Sequence, residues 1–217
     1  MLLFPSLNCA NFDYLRDEVV ALERAHVDGF HVDISDGTLF PALAMGMCDF
    51  LSVRRSTALP VDVHLYMSNP SRFIDAFANA GADIIYVFPE SEPFIAFALN
   101  RIRNLGKHPG LAVGWGTSFS AVAELLPLVD YVMVNSAIAN LERGELSPGI
   151  YDKLRDFAEC KHSHSFKLLI DGAVTFEVVE RATKVGVDGF AMGSGCLFGC
   201  GRNYGDTVSR LRSIENG

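Results

Sequence analysis

The sequence is short of positive charge. Against 26 Asp and Glu it carries 18 Lys and Arg, a formal net charge of -8, and its pI is near 5.2. No basic cluster interrupts the acidic background, so neither nucleic acid nor a membrane surface is an expected partner. Long apolar runs are also missing; none approaches the roughly 18 residues of a membrane span. The opening "MLLFPSLNCA" is apolar but has no positive n-region and contains a proline, so it does not read as a signal peptide. Cysteine is sparse and irregular. Cys9, Cys48, Cys160, Cys196 and Cys200 make an odd count of five with no CxxC, which argues against a disulfide framework and for a reducing, cytoplasmic setting. No linker or low-complexity tract breaks the chain, and a single domain over 1–217 is expected.

What is present is an alternation of short apolar runs with amphipathic ones. Strands are predicted near 2–7, 29–35, 61–67, 83–88, 110–115, 131–136, 166–171 and 189–193. Helices are predicted near 13–26, 46–57, 71–80, 92–104, 118–127, 148–160, 174–186 and 204–215. Eight strand–helix units at this length predict an α/β fold, a (β/α)8 TIM barrel, with a doubly wound open sheet as the alternative. "HVDGFHVDIS" and "GVDGFAMGSG" echo one another. Asp28, Asp83, Asp130 and Asp188 each stand just before a predicted strand. In helix-to-strand turns at the bottom of a barrel, these four are read as structural.

Function in such a barrel sits at the C-terminal ends of the strands. "HVDIS" places His31 and Asp33 on one face of a strand, because side chains alternate with a period of two. "VDVHLYM" does the same with Asp62 and His64, and "FKLLIDGA" ends in Asp171. Burying an unpaired carboxylate is costly. Any one of these residues alone is more simply a satisfied polar group in the core. Two paired motifs and a third Asp, all at strand ends, favour a metal site of His31, His64, Asp33 and Asp171. Mixed imidazole and carboxylate ligands suit one divalent ion such as Zn, Fe, Mn or Co. Asp62 is left behind the ligands or in a polar core layer. "CKHSH" (160–164) falls at the bottom face and reads as a solvated loop, and "CLFGC" (196–200) as incidental cysteines. The Gly-rich "GSGCLFGCG" after the last strand is a reasonable anion nest.

"PSLNCANF", "HVDISDG", "VDVHLYM", "GADII", "IDGAV" and "VDGFAMGSGCLF" resemble, in order and spacing, the ribulose-phosphate 3-epimerase family. The resemblance covers nearly the whole chain. It implies a (β/α)8 barrel with a divalent metal held by His31, Asp33, His64 and Asp171. Asp33 and Asp171 are also implied as the acid–base pair. Ser6 is implied as a substrate contact, and Gly172, Ala173, Gly193 and Ser194 as the phosphate-binding turns. The implied reaction is 3-epimerisation of a ketose phosphate, by default D-ribulose 5-phosphate to D-xylulose 5-phosphate. Two carboxyls would move the C3 proton through an enediolate, while the ion polarises the C2 oxygen. A homo-oligomer is expected.

The sequence departs from that family in several places. The glycine-rich loop after the sixth strand is replaced by "VNSAIANLERGE" (134–145), and Ala173 stands where a phosphate-turn glycine is usual. Ser35, Tyr66 and Asn135 take the places of methionines, and Phe88 that of a histidine. "GWGTS" (114–118) stands where N-P-x-T is common. Arg143, in the altered loop, is a candidate to reach the substrate. Three alternatives remain open. One is an epimerase for a different ketose or hexulose phosphate, and another a catalytically weak metal- and sugar-binding barrel. The third, a lyase, is disfavoured because "VDVHLYM" carries no lysine.

Overall fold

The computed structural model describes residues 1–137, 146–199 and 203–215. Its strands are β1 (Leu2–Pro5), β2 (Phe30–Ser35), β3 (Val61–Tyr66), β4 (Ile84–Val87), β5 (His108–Val113), β6 (Tyr131–Asn135), β7 (Lys167–Asp171) and β8 (Gly189–Met192). Helices follow them in turn: α1 (Leu15–Arg24), α2 (Met47–Ser56), α3 (Ser71–Ala80), α4 (Ile95–Asn104), α5 (Phe119–Val122), α6 (Ile150–Cys160), α7 (Phe176–Lys184) and α8 (Tyr204–Glu215). From β2 to β8 each strand pairs in parallel with the next, and β1 pairs in parallel with β8. A bridge between Ser6 and His31 joins β1 to β2. The chain is the (β/α)8 barrel that eight strand–helix units predict.

Element ends differ from expectation where local chemistry intervenes. The first strand stops at Pro5, and Leu7–Cys9 turns into a 3-10 segment. The fifth helix is α only over Phe119–Val122 and continues as a 3-10 segment over Ala123–Leu128. Pro127 lies inside it and cannot donate the hydrogen bond an α-helix needs.

Strand alternation divides the molecule into two cores. Val61, Val63, Leu65, Val132, Val134, Leu168 and Ile170 point outward and pack under the helices. Phe4, Ile84, Tyr86, Ala112, Met133, Leu169 and Ala191 point inward and fill the barrel. The inner plug depends on glycine. A Cβ at Gly110 would stand 2.3 Å from the Tyr86 ring, so β5 must lack one where Tyr86 crosses the interior.

At the bottom, the four repeated aspartates tie strands to helices. Asp28 Oδ2 accepts from Leu3 N at 2.7 Å and from Arg212 at 2.6 Å. Asp83 Oδ2 accepts from Val61 N at 2.9 Å and from Arg54 at 2.9 Å. Asp188 Oδ2 accepts from Leu168 N at 2.7 Å and from Lys161 at 2.7 Å. Asp130 meets Pro109 at the equivalent place, where no N–H exists, and instead contacts His108 Nδ1 at 2.7 Å and Arg103 at 2.9 Å. These aspartates are structural. Asp188→Ala leaves the Leu168 N–H without its acceptor and is expected to cost about 1–3 kcal/mol. Urea unfolding measures it, and Asp188→Asn, which keeps an acceptor, should recover much of the loss.

Candidate active site

Five ionisable side chains project into the top of the barrel. In β2 and β3 the register sets His31 beside Asp62 and Asp33 beside His64. Asp171 ends β7 beside Asn135 of β6. His31, Asp62 and His64 are fully buried. Asp33 and Asp171 keep 14% and 15% of their side chains exposed, so both reach the space above.

The contacts are specific. His31 Nε2 lies 3.0 Å from Asp33 Oδ1. His31 Nδ1 approaches Asp62 Oδ1 to 2.6 Å, an ion-pair contact short of hydrogen-bond alignment. His64 Nδ1 is 3.7 Å from Asp33 Oδ1 and 3.8 Å from Asp171 Oδ2, and neither of its ring nitrogens has a hydrogen-bond partner among the described residues. Phe88 stacks on the His64 ring at 4.9 Å and Tyr66 tilts against it at 4.2 Å, which fixes its plane. One donor atom from each of His31, Asp33, His64 and Asp171 falls within 4.8 Å of the others. A buried imidazole with no partner is costly unless something binds it. The donor set therefore fits a divalent cation, and Asp62 behind His31 forms the carboxylate–histidine arrangement that orients a metal-binding imidazole.

The electrostatics separate the two carboxyls. Burial works to raise Asp33, but the charge and hydrogen bond of His31, with His64, bring it down to about 2. Burial and then the negative charge of Asp33 push Asp171 up to about 6. Burial and His31 hold His64 down to about 3, so its lone pair is free at neutral pH. Burial opposes protonation of His31, yet Asp62 and Asp33 outweigh it and raise its pKa well above the ordinary value. Two acids of opposite tendency on facing strands are a common basis for acid–base chemistry.

A cavity of about 440 Å³ opens over this floor. Asn8, Asp33, Tyr66, Asn135 and Asp171 line its polar side, and Leu39, Phe40, Leu43, Phe88 and Trp115 its apolar wall. Lys153 Nζ holds the Trp115 turn by donating to the carbonyls of Gly114 and Trp115 at 3.0 and 2.7 Å.

Of the other predicted site residues, Ser6 is buried and donates to Asp33 Oδ2 at 3.0 Å. Gly172 lines the cavity with φ of +86°, and an added Cβ would meet Ala137 at 2.9 Å. Ala173 follows it with φ of +49°. Gly193 and Ser194 follow β8 at the same end; a Cβ on Gly193 would stand 3.2 Å from Cys9 Sγ. Arg143 and Cys200 lie outside the described residues. Asn8 was missed by sequence reasoning, although it stands two residues after Ser6 and donates to Asp33 Oδ2 at 3.3 Å. A left-handed Ala173 stores strain that glycine lacks. Ala173→Gly is expected to stabilise the protein by up to about 1 kcal/mol, and thermal unfolding checks it; a lower melting temperature would contradict it.

Comparison with known proteins identifies a family. The model of the ribulose-phosphate 3 epimerase family matches residues 2–197. Ribulose-phosphate 3-epimerase of Aquifex aeolicus is 30% identical over 215 residues, covering 98% of this chain and 96% of that protein. The Mycobacterium tuberculosis enzyme of that name is 31% identical over 195 residues, covering 89% and 84%. Among solved structures, thiamine phosphate pyrophosphorylase from Pyrococcus furiosus superposes with a TM-score of 0.68 at 18% identity, covering 99% of this chain and 95% of the other. At that identity the superposition speaks for the fold alone. The family match and the curated relatives converge: the chain belongs to the ribulose-phosphate 3-epimerase family of isomerases.

Proposed function

We propose that the protein catalyses 3-epimerisation of a ketose phosphate, with D-ribulose 5-phosphate to D-xylulose 5-phosphate as the default reaction. The observation that carries this reading is the pairing of Asp33 and Asp171 around a cluster whose His64 makes no hydrogen bond among the described residues. Asp33 stands two residues before the end of β2, Asp171 ends β7, and both line the cavity. One takes the C3 proton of the bound ketose as a base. The other, protonated, returns a proton to the opposite face. In the metal-free protein burial and Asp33 push Asp171 up to about 6 while His31 holds Asp33 down to about 2, so their surroundings already set the two carboxyls apart. The two exchange roles in the reverse direction, as an epimerase requires. A divalent ion held by His31, Asp33, His64 and Asp171 supplies Lewis-acid polarisation of the neighbouring oxygen when bound. Asp62 keeps His31 turned toward the cluster, and Ser6 and Asn8 hold Asp33. Gly172, Ala173, Gly193 and Ser194 are the turns offered to the phosphate.

The apolar wall of Leu39, Phe40, Leu43, Phe88 and Trp115 favours a second reading, an epimerase for a larger ketose such as a hexulose phosphate. Incubation with pentulose and hexulose phosphates, followed by chromatographic separation of the C3 epimers, tests both. Conversion of ribulose 5-phosphate supports the default, conversion of a hexulose phosphate alone supports the second, and conversion of neither refutes both.

A further inference from the structure

The two carboxyls are gripped alike. Asp33 Oδ2 accepts from the Ser6 hydroxyl at 3.0 Å and the Asn8 carboxamide at 3.3 Å. Asp171 Oδ2 accepts from the Tyr66 hydroxyl at 3.3 Å and the Asn135 carboxamide at 3.2 Å. Each acid thus receives one hydroxyl and one carboxamide on a single oxygen. Ser6 and Asn8 come from the turn after β1, close to Asp33. Asn135 is the register partner of Asp171 on β6, while Tyr66 reaches across from β3.

The second grip is built as a unit. The Asn135 Nδ2 also donates to Tyr66 OH, so the three side chains close a ring of hydrogen bonds. Tyr66 cannot swing freely, because its ring packs against His64 at 4.2 Å and Phe88 at 4.9 Å. A phenylalanine would keep that packing and lose the bond. We propose that Tyr66 and Asn135 are positioning residues that aim Asp171 at C3, the counterpart of Ser6 and Asn8 at Asp33. The assignment rests on the epimerase reading of the site.

The consequence lies in the partition of the proton. One carboxylate breaks the C3–H bond and keeps the proton, leaving the electron pair in the enediolate. The opposite carboxyl then gives its own proton to C3, or the first returns one after exchange with solvent. Loosening Asp171 slows only its own transfers.

The test uses metal-loaded wild type, Tyr66→Phe, Asn135→Ala and Asn8→Ala in deuterated water, starting from each epimer. Two quantities are read: deuterium entering recovered substrate and epimer formed. In Tyr66→Phe and Asn135→Ala, their ratio should rise about tenfold from the epimer whose proton goes to Asp33, and fall from the other. Asn8→Ala should give the mirror pattern. Titration of metal-free protein with Co²⁺ is the second readout. Weakening by about tenfold and a changed visible spectrum are expected in Tyr66→Phe. Ratios unchanged from both epimers, with unchanged cobalt binding, would overturn the proposal. If wild type epimerises no ketose phosphate, the epimerase reading fails, and the cobalt titration alone decides whether the grip on Asp171 is real.

Discussion

Asp171→Asn and Asp33→Asn are each expected to lower kcat for epimerisation by about 10²–10⁴-fold. Asparagine keeps the size of the side chain and one acceptor oxygen, but it cannot take up or deliver the proton. Both substitutions should be severe, because every turnover in either direction uses both carboxyls. Asp171→Asn should also be the better folded of the two. Burial and Asp33 already push the Asp171 carboxyl up to about 6, so a neutral side chain suits its position. Asp33, held near 2 chiefly by His31 against the effect of burial, stabilises the fold as an anion. That contribution is present above the ordinary carboxyl value of 3.8 and lost as pH falls toward about 2. Steady-state kinetics with thermal unfolding of both variants measure this. Retention of more than a tenth of wild-type kcat in either would contradict the two-carboxyl mechanism.

Removal of divalent metal by a chelator is expected to abolish epimerisation, a loss of at least about 10³-fold, with recovery when a divalent ion is returned. His64→Ala should not be rescued, since it deletes a ligand whose ring nitrogens make no hydrogen bond among the described residues. Uptake of the ion should also release protons, because ligands bind in their deprotonated form. In metal-free protein burial lowers the His31 pKa, but Asp62 and Asp33 outweigh it and raise it well above the ordinary value, so the ion displaces a proton there. Asp171 takes up its proton only below about 6. More protons are therefore expected to be released per ion near pH 5 than near pH 7, with affinity falling as pH drops through 6. The raised carboxyl also means that metal-free protein gains stability as pH falls through about 6, while the ion stabilises it more as pH rises. Calorimetric titration in buffers of different ionisation enthalpy counts the protons. Affinity independent of pH from 5 to 7 would contradict the ligand assignment.

Strand alternation carries the legible part of this site. His31 and Asp33 share a face, as do Asp62 and His64, because a strand has period two, and that periodicity is visible in seven residues of sequence. The eight-unit repeat and the bottom aspartates are legible for the same local reason. What the sequence does not display is distance between strands. Nothing near Tyr66 indicates that its hydroxyl meets Asp171, 105 residues away, nor that Asp62 backs His31 rather than standing alone in the core. The change of the fifth helix from α to 3-10, with Pro127 inside the 3-10 part, is concealed by an amphipathic pattern over 118–127. The left-handed turn at Ala173 runs against the preference of its own residue and is fixed by its surroundings. The cavity wall of Phe40, Leu43 and Trp115 draws on two separate loops, so no local motif marks it.

The central claim is that Asp33 and Asp171 exchange the C3 proton of a ketose phosphate from opposite faces. Proton NMR of the metal-loaded protein with D-ribulose 5-phosphate in deuterated water tests it most directly. Loss of the C3 proton signal together with the appearance of D-xylulose 5-phosphate deuterated at C3 is expected, and in Asp171→Asn the xylulose product should fall at least about 10²-fold. A C3 proton that persists for hours in the presence of wild-type protein with confirmed bound metal would contradict it.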